Sequence, residues 1–158
     1  MRLDVLIRGG TVVSSEGEHQ ADVAVKDGKI VEVGALAGLE AELALDASGL
    51  LVMPGAIDTQ VHFREPGMEH KEDIESGTRA AICGGVTSVL EMPNTAPPST
   101  SGQALEDKLD RAFGQGRAWC DMGFFIGATA DNATELAQLE MLPGTPGIKV
   151  FMGSSTGD

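Results

Sequence analysis

The 158-residue chain is 42% hydrophobic and 22% charged, the balance of a globular protein able to bury a real core. Its formal net charge of −13 argues against nucleic acid and anionic membrane as partners. No stretch has the pattern of a signal peptide or a transmembrane span, so the expected compartment is the cytoplasm. Cys83 and Cys120 show no paired spacing and sit in apolar surroundings, which reads as two buried thiols rather than a disulfide or metal pair.

Residues 3–52 read as all-β. Leu3–Arg8 alternates and meets Gly9-Gly10, and Thr11–Val13 is β-branched. Ala21–Val25 leads into the turn Lys26-Asp27-Gly28-Lys29, from which Ile30–Val33 returns as a hairpin. Leu43–Leu45 and Leu50–Met53 predict two further short strands. The module 1–53 is expected to be a structural platform. After Pro54 strands alternate with helices: strands at 57–64, 86–91, 121–128 and 148–152, and helices at His70–Cys83, Gln103–Phe113 and Thr134–Met141. Repeated units of this kind predict a parallel sheet, either a small open one or half of an eight-stranded barrel, with functional residues at the C-terminal strand ends.

The stretch Pro54–Gly67, PGAIDTQVHFREPG, is the most informative. If 57–64 is one strand, Asp58, Gln60, His62 and Arg64 share a face, opposite Ile57, Val61 and Phe63. Four polar groups in register on an apolar strand need an enclosed polar site to satisfy them. The bland alternative is a half-exposed strand with a surface histidine. Arg64, Asn94 and Lys149 fall near the same predicted rim.

These motifs resemble the cyclic amidohydrolases and, within them, the dihydroorotases. PGAIDTQVHFREPG is similar to the first barrel strand, which normally reads Asp-x-His-x-His. EMPNT at Glu91–Thr95 is similar to the dihydroorotase branch, and GIKVFMG at Gly147–Gly153 resembles the strand carrying a carboxylated, metal-bridging lysine. The β-rich start is similar to part of the family's sandwich domain, which the C-terminus completes. The resemblance implies an α/β fold: segment 1–53 from a small β-sandwich, then 54–158 as the first four units of a (β/α)8 hydrolase barrel. A whole barrel needs roughly 250 residues, so the remaining histidine ligands and the proton-shuttling aspartate are expected beyond residue 158.

The implied roles follow the chemistry of each group. His62 matches a zinc-binding histidine. Arg64 matches an arginine that grips a substrate carboxylate, the alternative being an ion pair with Glu65 or Asp58. Asn94 could donate to the same carboxylate or serve as an Asx-turn residue. Lys149, an ammonium with a pKa of about 10.4, could ligate zinc only as the carbamate formed with carbon dioxide; otherwise it is a structural lysine that snorkels outward. Gln60 stands where the family has its first metal histidine, and an amide oxygen is a poorer zinc ligand than imidazole.

The implied activity is zinc-dependent interconversion of dihydroorotate and N-carbamoyl-aspartate in pyrimidine biosynthesis. The alternatives are an allantoinase or hydantoinase, or a non-catalytic partner of aspartate transcarbamoylase. A small-molecule substrate and a homo-oligomer are expected, and residues 1–158 alone are expected to be unstable and inactive.

Overall fold

In the computed structural model, which describes residues 2–153, the Gly9-Gly10 pair does not end the first strand. Strand β1 runs from Leu3 to Ser14 through a register shift between Ile7 and Gly10. Gly9 takes φ +68°, a left-handed backbone that glycine adopts without penalty, and its amide donates to Asp22 Oδ1 at 2.8 Å. Antiparallel to β1 lies β2 (Gly17–Lys26), and β3 (Lys29–Gly34) returns along β2. The two-residue turn between them, Asp27-Gly28, has φ of 51° and 72°, the left-handed pair that suits the twist of a hairpin. Strands β4 (Ala41–Asp46) and β5 (Leu51–Val52) both pair parallel with β1. The sheet order is β3-β2-β1-β4, with β5 also on β1. Leu3, Leu6, Ala24 and Leu36 form its buried cluster, while Ile30, Val31, Val33, Leu43 and Leu45 are exposed. This unit is Met1–Pro54, and the second is Gly55–Asp158.

The second unit alternates strands and helices. Strands β6 (Ala56–Val61), β7 (Val86–Glu91) and β8 (Asp121–Phe124) form a parallel sheet in the order β6-β7-β8. Beyond Phe125 the chain resumes as β9 (Ile126–Gly127), which pairs parallel with β10 (Ile148–Lys149). The 121–128 and 148–152 segments are therefore shorter as strands than their apolar runs suggest.

Helix α1 (Ile74–Cys83) begins four residues later than His70, because Asp73 is the residue that can cap it. Asp73 Oδ1 accepts from the Ser76 amide at 2.7 Å, and Ser76 Oγ accepts from the Asp73 amide at 3.3 Å. Ser101 caps α2 (Gly102–Leu109), which then widens into a π-helical turn at Asp110–Gly114, closed by the Gln115 amide on Asp110 O at 2.8 Å. Of the expected 134–141 helix only α3 (Leu136–Leu139) forms. Among the described residues no helix is long and apolar enough to cross a membrane.

Phe63, Ile74, Val89, Leu105, Ala112, Met122, Phe124, Ile126 and Leu139 make the core of this unit. Cys120 joins them, but Cys83 is exposed at the end of α1, against the expectation that both thiols are buried. Its place in an apolar run says only that the helix has an apolar face, not that position 83 lies on it.

Gly77 lets α1 approach Phe63: a Cβ there would stand 2.6 Å from Phe63 Cδ1. Alanine at 77 raises helix propensity by about 1 kcal/mol, yet overpacking of about 1–3 kcal/mol opposes it. Gly77→Ala is expected to lower the melting temperature of the full-length protein. In a Phe63→Leu background the same substitution should lower it less or raise it.

Candidate active site

The polar face expected along 57–64 does not form. The ladder to β7 loses register between Asp58 and Val61, and β6 ends at Val61, whose carbonyl accepts from the Met92 amide at 3.0 Å. Asp58 and Gln60 are exposed, with the Gln60 amide on Asp58 Oδ1 at 3.0 Å. His62, Phe63 and Arg64 follow the strand, and Arg64 has φ +64°. Alternation holds only while the backbone stays extended, so Asp58, Gln60, His62 and Arg64 are not four residues of one strand face.

What the structure does bring together is His62 and Asn94. Both are half-buried, and His62 Nδ1 lies 2.8 Å from Asn94 Oδ1. With the amide oxygen facing the ring, the Nδ1–H tautomer would donate to it and leave the Nε2 lone pair free. This is how a metal-binding imidazole is commonly oriented, one nitrogen tied to an oxygen and the other free to ligate. The contact also makes Asn94 more than a turn residue, and it leaves the amide NH2 as a donor.

Arg64 pairs with neither Glu65 nor Asp58. Its Nη1 is buried with no hydrogen-bond partner among the described residues. Lys149 is half-buried at the end of β10, with Nζ 5.2 Å from the centroid of the Phe151 ring. Among the described residues no carboxylate pairs with it, and no three or more His, Cys, Asp or Glu side chains cluster as a metal site. His62 therefore fits one ligand position of a zinc site, and Lys149 fits another only as the carbamate. Gln60, exposed and neutral, fits poorly.

The rim carries two buried carboxylates, of which the sequence suggested only Glu65, and that as a partner of Arg64. Glu65, 1% exposed, sits beside Arg64. Arg117 holds it through two hydrogen bonds, Nη1 to Oε1 at 2.6 Å and Nη2 to Oε2 at 2.9 Å. Arg111 Nη1 adds a longer contact to Oε1 at 3.4 Å, and the Ile74 amide at the start of α1 donates to Oε2 at 2.9 Å. Burial pushes the Glu65 carboxyl up, but Arg117, the Ile74 amide and Arg111 together outweigh it and hold the group below its ordinary value. Glu91, at the end of β7, accepts from Lys108 Nζ at 3.3 Å, and both side chains are almost wholly buried. Here burial dominates: it pushes Glu91 up to about 7 despite Lys108, and pushes Lys108 down.

One signal for this second pair lay in the spacing. Lys108 falls on the same helical stripe as Leu105 and Ala112, and Glu91 follows Val89 by two on a strand. The two rim loops also touch directly: the Ala96 amide donates to Pro66 O at 3.0 Å, and Gly67, with φ +98°, packs against Ala96 so closely that a side chain would not fit.

A carboxylate held below its unfolded value contributes stability that is complete above about pH 5 and is lost as pH falls through its folded pKa. Glu65 and Asp73, the latter lowered by the Ser76 amide and hydroxyl, belong to this class. The melting temperature of the full-length protein is expected to fall on acidification below that range. Glu65→Gln should melt lower at neutral pH and show a flatter acid limb.

Comparison with known proteins agrees with this architecture. The model of the Amidohydrolase family matches residues 51–153. The chain is 40% identical over 156 residues to an allantoinase of Deinococcus radiodurans, covering 98% of this chain and 34% of that protein. It is 39% identical over 155 residues to an allantoinase of Escherichia coli, covering 98% and 33%. Among solved structures, the L-hydantoinase (dihydropyrimidinase) of Arthrobacter aurescens superposes with a TM-score of 0.90 at 34% identity, over 98% of this chain and 34% of that one. A D-hydantoinase structure gives 0.74 at 33% identity, over 93% of this chain and 33% of that one. The chain thus spans about a third of the length of the relatives it matches. Its fold is α/β, the N-terminal part of a (β/α)8 hydrolase barrel preceded by part of a small β-sandwich. A parallel strand–helix unit with an oriented imidazole at its rim, matched by one family model over most of its length, places this chain in the amidohydrolase family.

Proposed function

We propose that the full-length protein is a zinc-dependent hydrolase of cyclic amides, of the allantoinase and hydantoinase kind. The observation that carries the hydrolase reading is the His62–Asn94 contact at 2.8 Å, which leaves Nε2 for a metal. The choice of ring rests on the relatives, which are named for allantoin and hydantoin and match nearly the whole chain. When bound, zinc would polarise the scissile carbonyl and supply an activated water. His62 would hold the metal, and Lys149, with no carboxylate pairing its ammonium among the described residues, would join it as a carbamate. Asn94 fixes the His62 tautomer and keeps an amide donor for the ring's substituents. Substrate orientation in such a site depends on donors fixed in advance rather than recruited.

Dihydroorotase is the second reading, and one observation favours it. Arg64 carries a buried Nη1 with no partner among the described residues, the group a ring carboxylate would satisfy. On that reading Arg64 and Asn94 share the carboxylate. A site without zinc would instead favour a non-catalytic partner of aspartate transcarbamoylase.

Zinc content by elemental mass spectrometry, followed by hydrolysis of allantoin, hydantoin and dihydroorotate, separates these readings. The full-length protein is expected to hold one or two zinc ions and to turn over allantoin or hydantoin with the highest kcat/KM. Chelation should remove metal and activity together. Fastest turnover of dihydroorotate would move the assignment to the second reading; no zinc and no hydrolysis would overturn both. Arg64→Met provides the finer test. A lost charged hydrogen bond of about 1.5–3 kcal/mol corresponds to a KM for dihydroorotate raised roughly 10- to 100-fold, whereas KM for an uncharged ring should change little.

A further inference from the structure

We propose that Glu65 is a positioning residue for the rim of this site, acting through Arg64 and His62 rather than on substrate. The inference rests on the hydrolase reading above only for its kinetic arm. The chain from His62 to Glu65 leaves the sheet with nothing regular to hold it, since β6 ends at Val61. Two side chains fix it instead. Phe63 is buried against Gly77 of α1, and Glu65 is buried on Arg117, Arg111 and the Ile74 amide at the start of the same helix. Residues 63 and 65 are thereby tied down on either side of Arg64, which adopts φ +64°. A left-handed backbone at a non-glycine residue costs of order 1 kcal/mol and persists where its surroundings impose it.

The anchor also reaches the second loop. Pro66, next to Glu65, accepts the Ala96 amide at 3.0 Å, and Asn94 two residues earlier holds His62. Releasing Glu65 therefore loosens the backbone that presents Arg64, and through Pro66 and Ala96 the loop that orients His62. Glu65 is 1% exposed with both carboxylate oxygens occupied, so it is not free to bind substrate or metal.

The test compares full-length wild type with Glu65→Gln, which keeps the shape but loses the charge, and with Arg117→Lys, which keeps the charge but loses the paired geometry. Hydrogen–deuterium exchange is expected to rise at least tenfold in segments 62–68 and 94–98 of Glu65→Gln, with β7 and β8 unchanged. Arg117→Lys should fall between the two. With the best substrate of the panel, kcat/KM should drop at least tenfold while zinc content stays at the wild-type value. Unchanged exchange at the rim would overturn the proposal, and so would a uniform rise across the second unit. Local loosening with unaltered kinetics would also overturn it. If Glu65→Gln does not fold, Arg117→Lys carries the same comparison. A wild type that hydrolyses nothing would sink the hydrolase reading, while the exchange pattern would still decide whether Glu65 holds the rim.

Discussion

The contact on which the second unit's rim depends is the Glu65 carboxylate and its four donors. A buried carboxylate is destabilising until its charge and its lone pairs are matched. Here the matching is close: two guanidinium nitrogens of Arg117, one of Arg111 and the first amide of α1, all between 2.6 and 3.4 Å. The α1 amide matters beyond its own hydrogen bond, because the first turn of a helix carries partial positive charge. Asp73 caps that same helix end and lies 3.9 Å from Arg117, so the helix start and the rim share one electrostatic neighbourhood. Arg111 is further tied to Asp107 at 2.7 Å, one turn back along α2. The π-helical turn at 110–114 follows directly, and Arg117 lies just beyond it.

The Glu91–Lys108 pair is a different case. It makes one direct hydrogen bond, at 3.3 Å, and Glu91 Oε1 has no partner among the described residues. Phe124 gives Lys108 partial compensation, its ring centroid 5.6 Å from Nζ. Such a pair adds little net stability over a packed apolar pair, but removing one partner strands the other at a penalty of about 3–5 kcal/mol. Its structural effect is to join the end of β7 to α2, three residues before Asn94. One rim loop thus contains, and the other starts from, a buried acid held by a base from the segment 108–117.

How much of this the sequence disclosed depended on the range of the interactions. The hairpin at Asp27-Gly28 was legible because its turn needs left-handed residues and the sequence supplies them side by side. The parallel strand–helix order was legible for the same local reason. The 57–64 strand was read too long, because nothing in DTQVHFR marks where the ladder to β7 slips. The Glu65–Arg117 contact joins positions 52 residues apart and has no periodicity to betray it. Lys108 could have been found, since it interrupts an otherwise apolar helical stripe. Substrate specificity was the least legible. HFREPG and PNT are short motifs, and they pointed to dihydroorotase, while the relative matched over 156 residues is an allantoinase.

The division of labour that emerges is one of orientation rather than of complete chemistry. A catalytic zinc site takes three protein ligands as a rule, and among the described residues His62 has no His, Cys, Asp or Glu cluster around it. Gln60 cannot make up the difference, being exposed and a weak donor. Three groups are held at the rim: an imidazole facing Asn94 Oδ1 and, among the described residues, a buried guanidinium nitrogen without a partner and a lysine with no carboxylate beside it. Of these, the buried guanidinium nitrogen is costly in isolation. A folded chain keeps such groups in place when buried acids and close loop packing impose their positions, and here Glu65, Glu91 and the Pro66–Ala96 contact supply that constraint.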